Sequence, residues 1–181
     1  MFSLLVRRDG LIEPPAMSEV DSHCHILPGI DDGAPDEQTA IAIANLLLEL
    51  GVRTVVATPH VISDIFPNTT LQILESVEKL RNLFNDRGLP LDVLAGAEYY
   101  AERELLNRIK RDDLLSWGED RNVLFESSVE YEPMLLEEVI FSIKSAGYTP
   151  VLAHAERYRF LQRNREDHQL CSLPELGHNS L

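Results

Sequence analysis

The sequence predicts an α/β protein in which helices cover a parallel sheet, and two observations support this fold class. Short apolar runs rich in β-branched residues alternate with longer segments of helical periodicity over most of the chain. Strict alternation of strand and helix is typical of parallel strands joined by helical crossovers. Because the chain has 181 residues, it is long enough for one buried core, and we expect a single domain.

Five strands and four helices follow one another in this pattern. The predicted strands are residues 20–26, 53–58, 91–98, 122–127 and 149–154. The predicted helices are residues 35–50, 70–88, 102–115 and 134–145. Thr69 or Thr70 is the expected cap of the second helix, and glycines follow three helix ends, at Gly51, Gly88 and Gly147.

The amino-acid composition indicates which binding partners and which cellular compartment to expect. Lysine and arginine number 16 against 30 aspartates and glutamates, so the net charge is −14 and neither nucleic acid nor an anionic membrane is an expected partner. No segment reaches the roughly 20 apolar residues that span a bilayer, and no targeting signal stands out. Two cysteines are too few for a disulfide framework, which favours a reducing, cytoplasmic setting.

The ends of the predicted strands carry side chains that can bind metal ions. In β/α folds, chemistry gathers where the carboxyl ends of parallel strands meet. His23 and His25 alternate on the first strand, so they point to the same side while Cys24 points away. The later strands end in His60, Glu98, Glu126 and His154. Each residue alone is more often structural or solvated, but the coincidence over five strands favours a polynuclear metal site.

The types of ligand limit the ion and its chemistry. Imidazole and carboxylate groups without thiolate suit manganese, iron or zinc. Clustered divalent ions are suited to phosphoester hydrolysis, because they produce hydroxide at neutral pH and neutralise the phosphoryl oxygens. The residues therefore point to a metal-dependent hydrolase of phosphoesters.

Five motifs resemble those of a bacterial protein family. They are HCHILPGIDDG at 23–33, ATPH at 57–60, AGAEYY at 95–100, LFES at 124–127 and AHAERY at 153–158. Their order and spacing are similar to those of the manganese-dependent protein-tyrosine phosphatases of the PHP (polymerase and histidinol phosphatase) superfamily, found with capsule and exopolysaccharide genes. The likeness covers residues 19–161, which leaves residues 1–18 as an N-terminal extension and residues 162–181 as an atypical tail.

This resemblance implies a fold and a metal site. The family folds as a distorted seven-stranded β/α barrel, similar to a TIM barrel, with up to three metal ions at the carboxyl-end face. Manganese is the implied cofactor, while iron and zinc also suit the ligands. The implied ligands are His23, His25 and a bridging Glu98 for one ion, Glu126 and His154 for a second, and Asp32 and His60 for a third. Asp31 is expected to order the turn, or to hold the His25 ring in place without binding the metal itself.

The resemblance also implies how substrate is bound. Arg157 would hold the substrate phosphate, because a guanidinium group matches phosphate oxygens in a bidentate way. Its alternative is an ion pair with Glu156. Four tyrosines near the strand ends could wall a pocket for an aromatic ring or simply pack beneath the loops: Tyr99, Tyr100, Tyr131 and Tyr158.

The implied reaction is direct attack of a metal-bound hydroxide on phosphotyrosine, without a phosphoenzyme. A cysteine-based phosphatase needs an arginine six residues after its cysteine. Ile30 follows Cys24 at that distance and Gly177 follows Cys171, so the sequence excludes that mechanism. The implied partner is a phosphotyrosine protein such as a bacterial polysaccharide-export tyrosine kinase.

Two departures from the family pattern bear on activity. The family reads H-P-E-R where this chain has His154-Ala155-Glu156-Arg157, which keeps the histidine and arginine in register. The family also continues to an Asp-x-His pair that completes two metal sites, whereas this sequence stops at Leu181 without one. We expect a truncated product with about five β/α units, open sheet edges that favour association between copies, and impaired activity.

Two other functions stay open at this stage. One is a histidinol-phosphatase-like enzyme that acts on small phosphomonoesters. The other is a non-catalytic remnant that binds a partner such as the kinase. The LPGxDDG turn and the GAEYY segment favour the tyrosine-phosphatase branch over the histidinol-phosphatase-like enzyme.

Overall fold

The computed structural model describes residues 19–129 and 134–159. The predicted N-terminal extension at 1–18, the tail at 162–181 and Tyr131 lie outside these described residues. Within the described ranges, no helix is both long and apolar enough to cross a bilayer.

The described chain alternates strands and helices in the predicted order. Its strands are β1 Val20–Cys24, β2 Thr54–Ala57, β3 His60–Val61, β4 Asp92–Ala95, β5 Glu98–Tyr100, β6 Asn122–Glu126 and β7 Thr149–Leu152. Its helices are α1 Glu37–Glu49, α2 Thr70–Arg87, α3 Arg103–Lys110 and α4 Leu136–Ser145, followed by a 3₁₀ turn at Ala155–Arg157. The α/β class is confirmed.

Within the described residues, the seven strands pair with one another in parallel and form two sheets. One sheet has the order β1-β2-β4 and the other the order β3-β5-β6-β7. The register of the second sheet places His60 opposite Glu98, and Glu98 opposite Leu124. The strand ends that carry the predicted ligands are therefore neighbours in space.

One predicted strand is divided between the two sheets, and another is followed by a short strand that was not predicted. The strand expected at 53–58 stops at Ala57, and the unpredicted β3 begins at His60 after Pro59, which has no N–H to donate. The strand expected at 91–98 is interrupted at Gly96, where a Cβ would lie 2.8 Å from the Val56 side chain. The backbones approach closely at this point, and the chain bends from one sheet into the other.

The helix ends follow local side-chain chemistry. Thr69 caps α2 in a reciprocal capping box with Gln72, and Gly88 ends it in the left-handed conformation, as the sequence predicts. The predicted third helix is too long, since α3 ends at Lys110 instead of residue 115. Asp112 adopts a left-handed φ of 54°, which turns the chain out of the helix.

The core lies between the sheets and the helices. Helix α2 contributes a buried stripe at helical spacing: Ile73, Val77, Leu80 and Phe84. The strands contribute fully buried side chains such as Val55, Val93 and Phe125. This packing fixes the sheet positions and, with them, the strand ends that form the site described below.

Candidate metal centre

Glu98, the first residue of β5, lies at the centre of a cluster of imidazoles. Its Oε2 is 3.1 Å from Nε2 of His23 and 3.1 Å from Nε2 of His25. Oε2 is also 3.3 Å from Nδ1 of His60, and Oε1 is 3.6 Å from Nε2 of His154. The Glu98 side chain is 0% exposed, so its charge depends on these neighbours for compensation.

The turn after β1 holds His25 in place. Asp31 Oδ2 accepts a hydrogen bond from His25 Nδ1 at 2.6 Å and another from the His60 backbone N–H at 3.0 Å. Asp31 Oδ1 accepts from the Gly33 N–H, and a Cβ at Gly33 would lie 2.2 Å from the His25 carbonyl oxygen. Only glycine permits this approach. The contacts confirm that Asp31 orders the turn and supports His25.

This arrangement also selects the form of the His25 ring. With its Nδ1 proton donated to Asp31, neutral His25 presents the Nε2 lone pair to the cluster. A carboxylate behind a histidine is the usual way in which proteins orient a metal-binding imidazole and raise its basicity. The tautomer follows from the hydrogen-bonding partner, since Asp31 can only accept there.

His60 lies between two further carboxylates. Its Nδ1 is 2.9 Å from Glu126 Oε1, and its Nε2 is 3.6 Å from Oδ1 of Asp32. Asp32 is 68% exposed, whereas the side chain of Glu126 is 19% exposed. Asp32 thus lies near His60, with which it was predicted to share an ion, and Glu126 contacts His60 directly.

His154 enters the cluster from an unusual backbone conformation. It has φ 52° and ψ 38° immediately before the 3₁₀ turn, a left-handed conformation that costs energy for a residue other than glycine. The ring lies 4.8 Å from that of His23, centroid to centroid. The left-handed turn brings the imidazole back over the strand ends.

Electrostatics in the cluster favour positive charge near its carboxylates. Burial tends to raise the pKa of Glu98, but hydrogen bonds with His23 and His25 outweigh it and lower that pKa to about 2. Burial tends to lower the pKa of His25, but Asp31 and Glu98 raise it to about 10. A hydrogen bond with Glu126 raises the pKa of His60. A cation bound here would take the place of the protons that these pairs hold.

The residues fit divalent ions on the geometry of the donor atoms. Within the described residues, three sets bring their ligand atoms within 4.8 Å of one another: His23, Glu98 and His154; His25, His60 and Glu98; and His25, Asp31 and Asp32. Oε1 of Glu98 is buried and makes no hydrogen bond, which is costly unless an ion satisfies it. A shared carboxylate with one free oxygen suits a bridging ligand.

Of the residues predicted to contact substrate, the arginine is exposed and the two tyrosines are buried. Arg157 is exposed in the 3₁₀ turn that follows His154. Tyr99 and Tyr158 are each 1% exposed, and their hydroxyls accept hydrogen bonds from the backbone N–H groups of Leu115 and Ser127. Both tyrosines occupy packing positions, which is the second of the two alternatives that the sequence leaves open.

Two residues that support the site were not predicted from the sequence. Thr58 is fully buried, and its hydroxyl accepts from the Cys24 N–H and so holds the end of β1. Asn68 donates to the backbone carbonyls of both Ile30 and His60. Thr58 belongs to the ATPH motif, so the motif could have identified it as part of the site. Asn68 lies in a loop, where no periodic sequence pattern indicates its role.

The fold and the cluster define a class: an α/β protein with histidine and carboxylate side chains gathered at the carboxyl ends of parallel strands. The family model of capsular polysaccharide synthesis proteins, CpsB/CapC, matches residues 19–178. The chain belongs to this family.

Relatives and a solved structure agree with this assignment. Tyrosine-protein phosphatase YwqE of Bacillus subtilis is 33% identical over 145 residues, covering 80% of this chain and 57% of the relative. Tyrosine-protein phosphatase CpsB of Streptococcus pneumoniae is 28% identical over 147 residues, covering 81% and 60%. One chain from the crystal structures of YwqE from Bacillus subtilis and CpsB from Streptococcus pneumoniae, described as metal-dependent tyrosine phosphatases, matches with a TM-score of 0.74 and 33% identity. The match covers 81% of this chain and 60% of that one. The chain thus spans about three fifths of the length of these relatives.

Proposed function

We propose that this chain hydrolyses phosphomonoesters with the help of divalent metal ions, and that phosphotyrosine on proteins is its substrate. The observation that carries the proposal is the buried Glu98 carboxylate, which is shared by imidazoles from several strands and has one oxygen without a hydrogen bond. The names of the relatives, tyrosine-protein phosphatases, support the choice of substrate.

Seven residues form the proposed ligand set. They are His23, His25, Asp32, His60, Glu98, Glu126 and His154, with Mn²⁺ as the proposed ion and up to three ions in the complete site. Divalent ions held there would polarise the phosphoryl oxygens and make bound water acidic enough to react at neutral pH. Their positions, around one shared carboxylate, support binding of more than one ion.

Protein groups have their own roles in this proposal. Asp31 holds the His25 ring and keeps its Nε2 directed to the cluster. Arg157 binds the phosphate of the substrate, with its planar fork matched to two phosphoryl oxygens. Its exposure on the turn directly after His154 supports this role, because an incoming phosphate would reach it from solvent.

The architecture proposed for the catalytic domain is a distorted β/α barrel of the PHP type, with residues 19–161 as the domain. The two parallel sheets support it, since β2 is followed by β3 and β4 by β5, so that the chain passes twice from the first sheet to the second. The proposed domain contains about five β/α units.

The proposed partner is a phosphotyrosine protein of capsule synthesis, with a bacterial tyrosine kinase as the candidate. The family description, capsular polysaccharide synthesis, supports the process, and the net charge of −14 argues against nucleic acid. The small number of cysteines supports a reducing, cytoplasmic setting.

The test compares substrates and metals on the full chain. We expect turnover of a phosphotyrosine peptide that requires added Mn²⁺, stops with chelator and exceeds turnover of histidinol phosphate. His23→Ala should abolish it, while Glu75→Gln, an exposed position on α2, serves as a control with unchanged turnover. Equal or faster turnover of histidinol phosphate would contradict the proposed substrate, and no Mn²⁺-dependent turnover of either would contradict the activity.

A further inference from the structure

Asn68 joins two loops that carry candidate metal ligands. Its side-chain Nδ2 donates to the carbonyl oxygen of Ile30 at 3.0 Å and to that of His60 at 2.9 Å. Ile30 immediately precedes the acidic pair of the first turn, and His60 is itself a candidate ligand. One amide group therefore bridges the turn after β1 and the start of β3.

The chemistry of this bridge requires asparagine. Two carbonyl oxygens face one side-chain group, so that group must provide two N–H donors, which the amide of asparagine does. An aspartate of the same shape would place a carboxylate against two carbonyls and leave both without a donor. Asn68 is 9% exposed, so water cannot readily replace the lost hydrogen bonds.

Arg108 and its ion pair with Asp113 hold the backbone of Asn68. Arg108 is 9% exposed, and its Nη2 donates to the backbone carbonyl oxygen of Asn68 at 2.9 Å. Its Nη1 is 3.2 Å from Asp113, which also accepts from the Thr70 hydroxyl at the start of α2. Helices α2 and α3 thus hold the loop that carries Asn68.

We propose that Asn68 is a positioning residue, whose two hydrogen bonds to the Ile30 and His60 carbonyls set the distance between Asp32 and His60 and so tune metal affinity. The proposal rests on the metal-dependent function proposed above. Asp31 provides a parallel link by accepting from the His60 N–H, so loss of Asn68 loosens the pair without separating it. Outer-sphere groups of this kind change metal affinity by about 10–100-fold when they are removed.

The test uses Asn68→Asp and Asn68→Ala in the full chain. Asn45→Ala is the matched control, because the Asn45 amide also donates to a backbone carbonyl, that of Ile41, but on the exposed face of α1. We expect Mn²⁺ affinity, measured by calorimetry, to fall by about tenfold in both Asn68 variants and to stay unchanged in the control. The visible absorption of Co²⁺ bound in the site should shift with Asn68→Asp, which a loss of stability alone would not cause.

A second readout does not depend on metal. In metal-free protein, hydrogen exchange of the Gly29 and Ala34 amides, which bond within the turn, should be faster in Asn68→Asp than in wild type or the control. Unchanged exchange would overturn the proposed bridge. Faster exchange in a protein whose wild type binds no Mn²⁺ would support the bridge and contradict the proposed function instead.

Two further outcomes are decisive. Mn²⁺ affinity and Co²⁺ spectrum equal to those of the control would overturn a positioning role even if the turn becomes mobile. If both Asn68 variants fail to fold, Arg108→Lys replaces them, since it keeps the charge beside Asp113 but lacks the fork that reaches Asn68. We then expect a smaller fall in Mn²⁺ affinity in the same direction, and an unchanged affinity would overturn the proposal.

Discussion

Glu98 Oε2 lies at the same distance, 3.1 Å, from Nε2 of His23 and from Nε2 of His25, and so joins β5 to the end of β1. A buried carboxylate at this position is stable only if positive charge faces it. In our account, metal ions provide that charge. The relationship makes Glu98 the residue whose replacement has the clearest consequence.

Glu98→Gln should abolish metal-dependent turnover while the chain still folds. Glutamine keeps the size of the side chain but lacks the charge that attracts the ion and one of the two equivalent oxygens. We expect Mn²⁺-dependent phosphotyrosine hydrolysis to fall by more than about 100-fold, because loss of a direct ligand should exceed the usual outer-sphere effect. Steady-state kinetics and circular dichroism check this, with Glu75→Gln as the control. Turnover within a few-fold of wild type would contradict a bridging role.

Asp31→Asn should weaken metal binding without removing a ligand of the three predicted ions. The Asp31 carboxylate accepts three hydrogen bonds, from His25, Gly33 and His60. In asparagine, an NH₂ group replaces one carboxylate oxygen and would face a donor instead of accepting from it. We expect about a 10–100-fold loss of Mn²⁺ affinity, measured by calorimetry. Asp64→Asn, an exposed aspartate in the loop after β3, is the control. An unchanged affinity would show that His25 needs no support from Asp31.

Arg157→Ala should reduce substrate binding and leave metal binding intact. We expect kcat/KM for a phosphotyrosine peptide to fall by about 100-fold, and Arg157→Lys to recover only part, because a lysine lacks the bidentate fork. Arg159→Ala, two residues further and also exposed, is the matched control. Loss of bound Mn²⁺ in Arg157→Ala would indicate a structural role for this arginine instead.

Cys24→Ser should retain activity. Cys24 lies between His23 and His25 but faces the opposite side of the strand, and burial, with the charges of Asp21 and Asp31, raises the pKa of its thiol to about 12. A protonated thiol is a poor nucleophile, so we expect kcat within about twofold of wild type. The measurement is Mn²⁺-dependent hydrolysis at a temperature where both proteins are folded. A loss of tenfold or more in folded protein would reopen a role for the cysteine.

The cap of α1 gives a pH dependence with a definite sign. The Thr39 backbone N–H donates to the Asp36 carboxylate at 2.8 Å and holds the pKa of that carboxyl below its usual range. Because the folded pKa is the lower one, the stabilisation is present above the unfolded value, near 3.9, and is lost as the pH falls through the folded pKa. We expect the difference in urea midpoint between wild type and Asp36→Asn to shrink from pH 7 to about pH 3. A difference that is constant with pH would refute this assignment.

The sequence predicts the candidate site well where backbone topology decides it. His23 and His25 lie at the end of β1, Glu98 begins β5 shortly after β4, and His154 follows β7. These positions converge because the carboxyl ends of parallel strands meet at one edge. The contact of Glu126 with His60 was not predictable, since it depends on the bend after Ala57 and on side-chain direction across strands. Periodicity shows neither.

Loop and aromatic residues mark the limit of sequence reasoning. Asn68 lies between β3 and α2, where no periodic pattern shows which carbonyls its amide meets. Tyr99 and Tyr158 stand beside the strand ends in sequence, yet their rings are buried because the backbone directs them into the packing beneath the loops. The sequence therefore shows that a residue is close to the site, but it does not show whether the side chain is exposed or buried.

The most direct test of a metal site around Glu98 is the number of Mn²⁺ ions that the metal-free full chain binds at equilibrium. Calorimetry measures this number, and elemental analysis checks it. The proposed metal site should bind more than one ion per chain in wild type and lose binding in Glu98→Gln, because the three ligand sets share residues and two of them share this carboxylate. A folded wild-type chain that binds no Mn²⁺, Fe²⁺ or Zn²⁺ would contradict it.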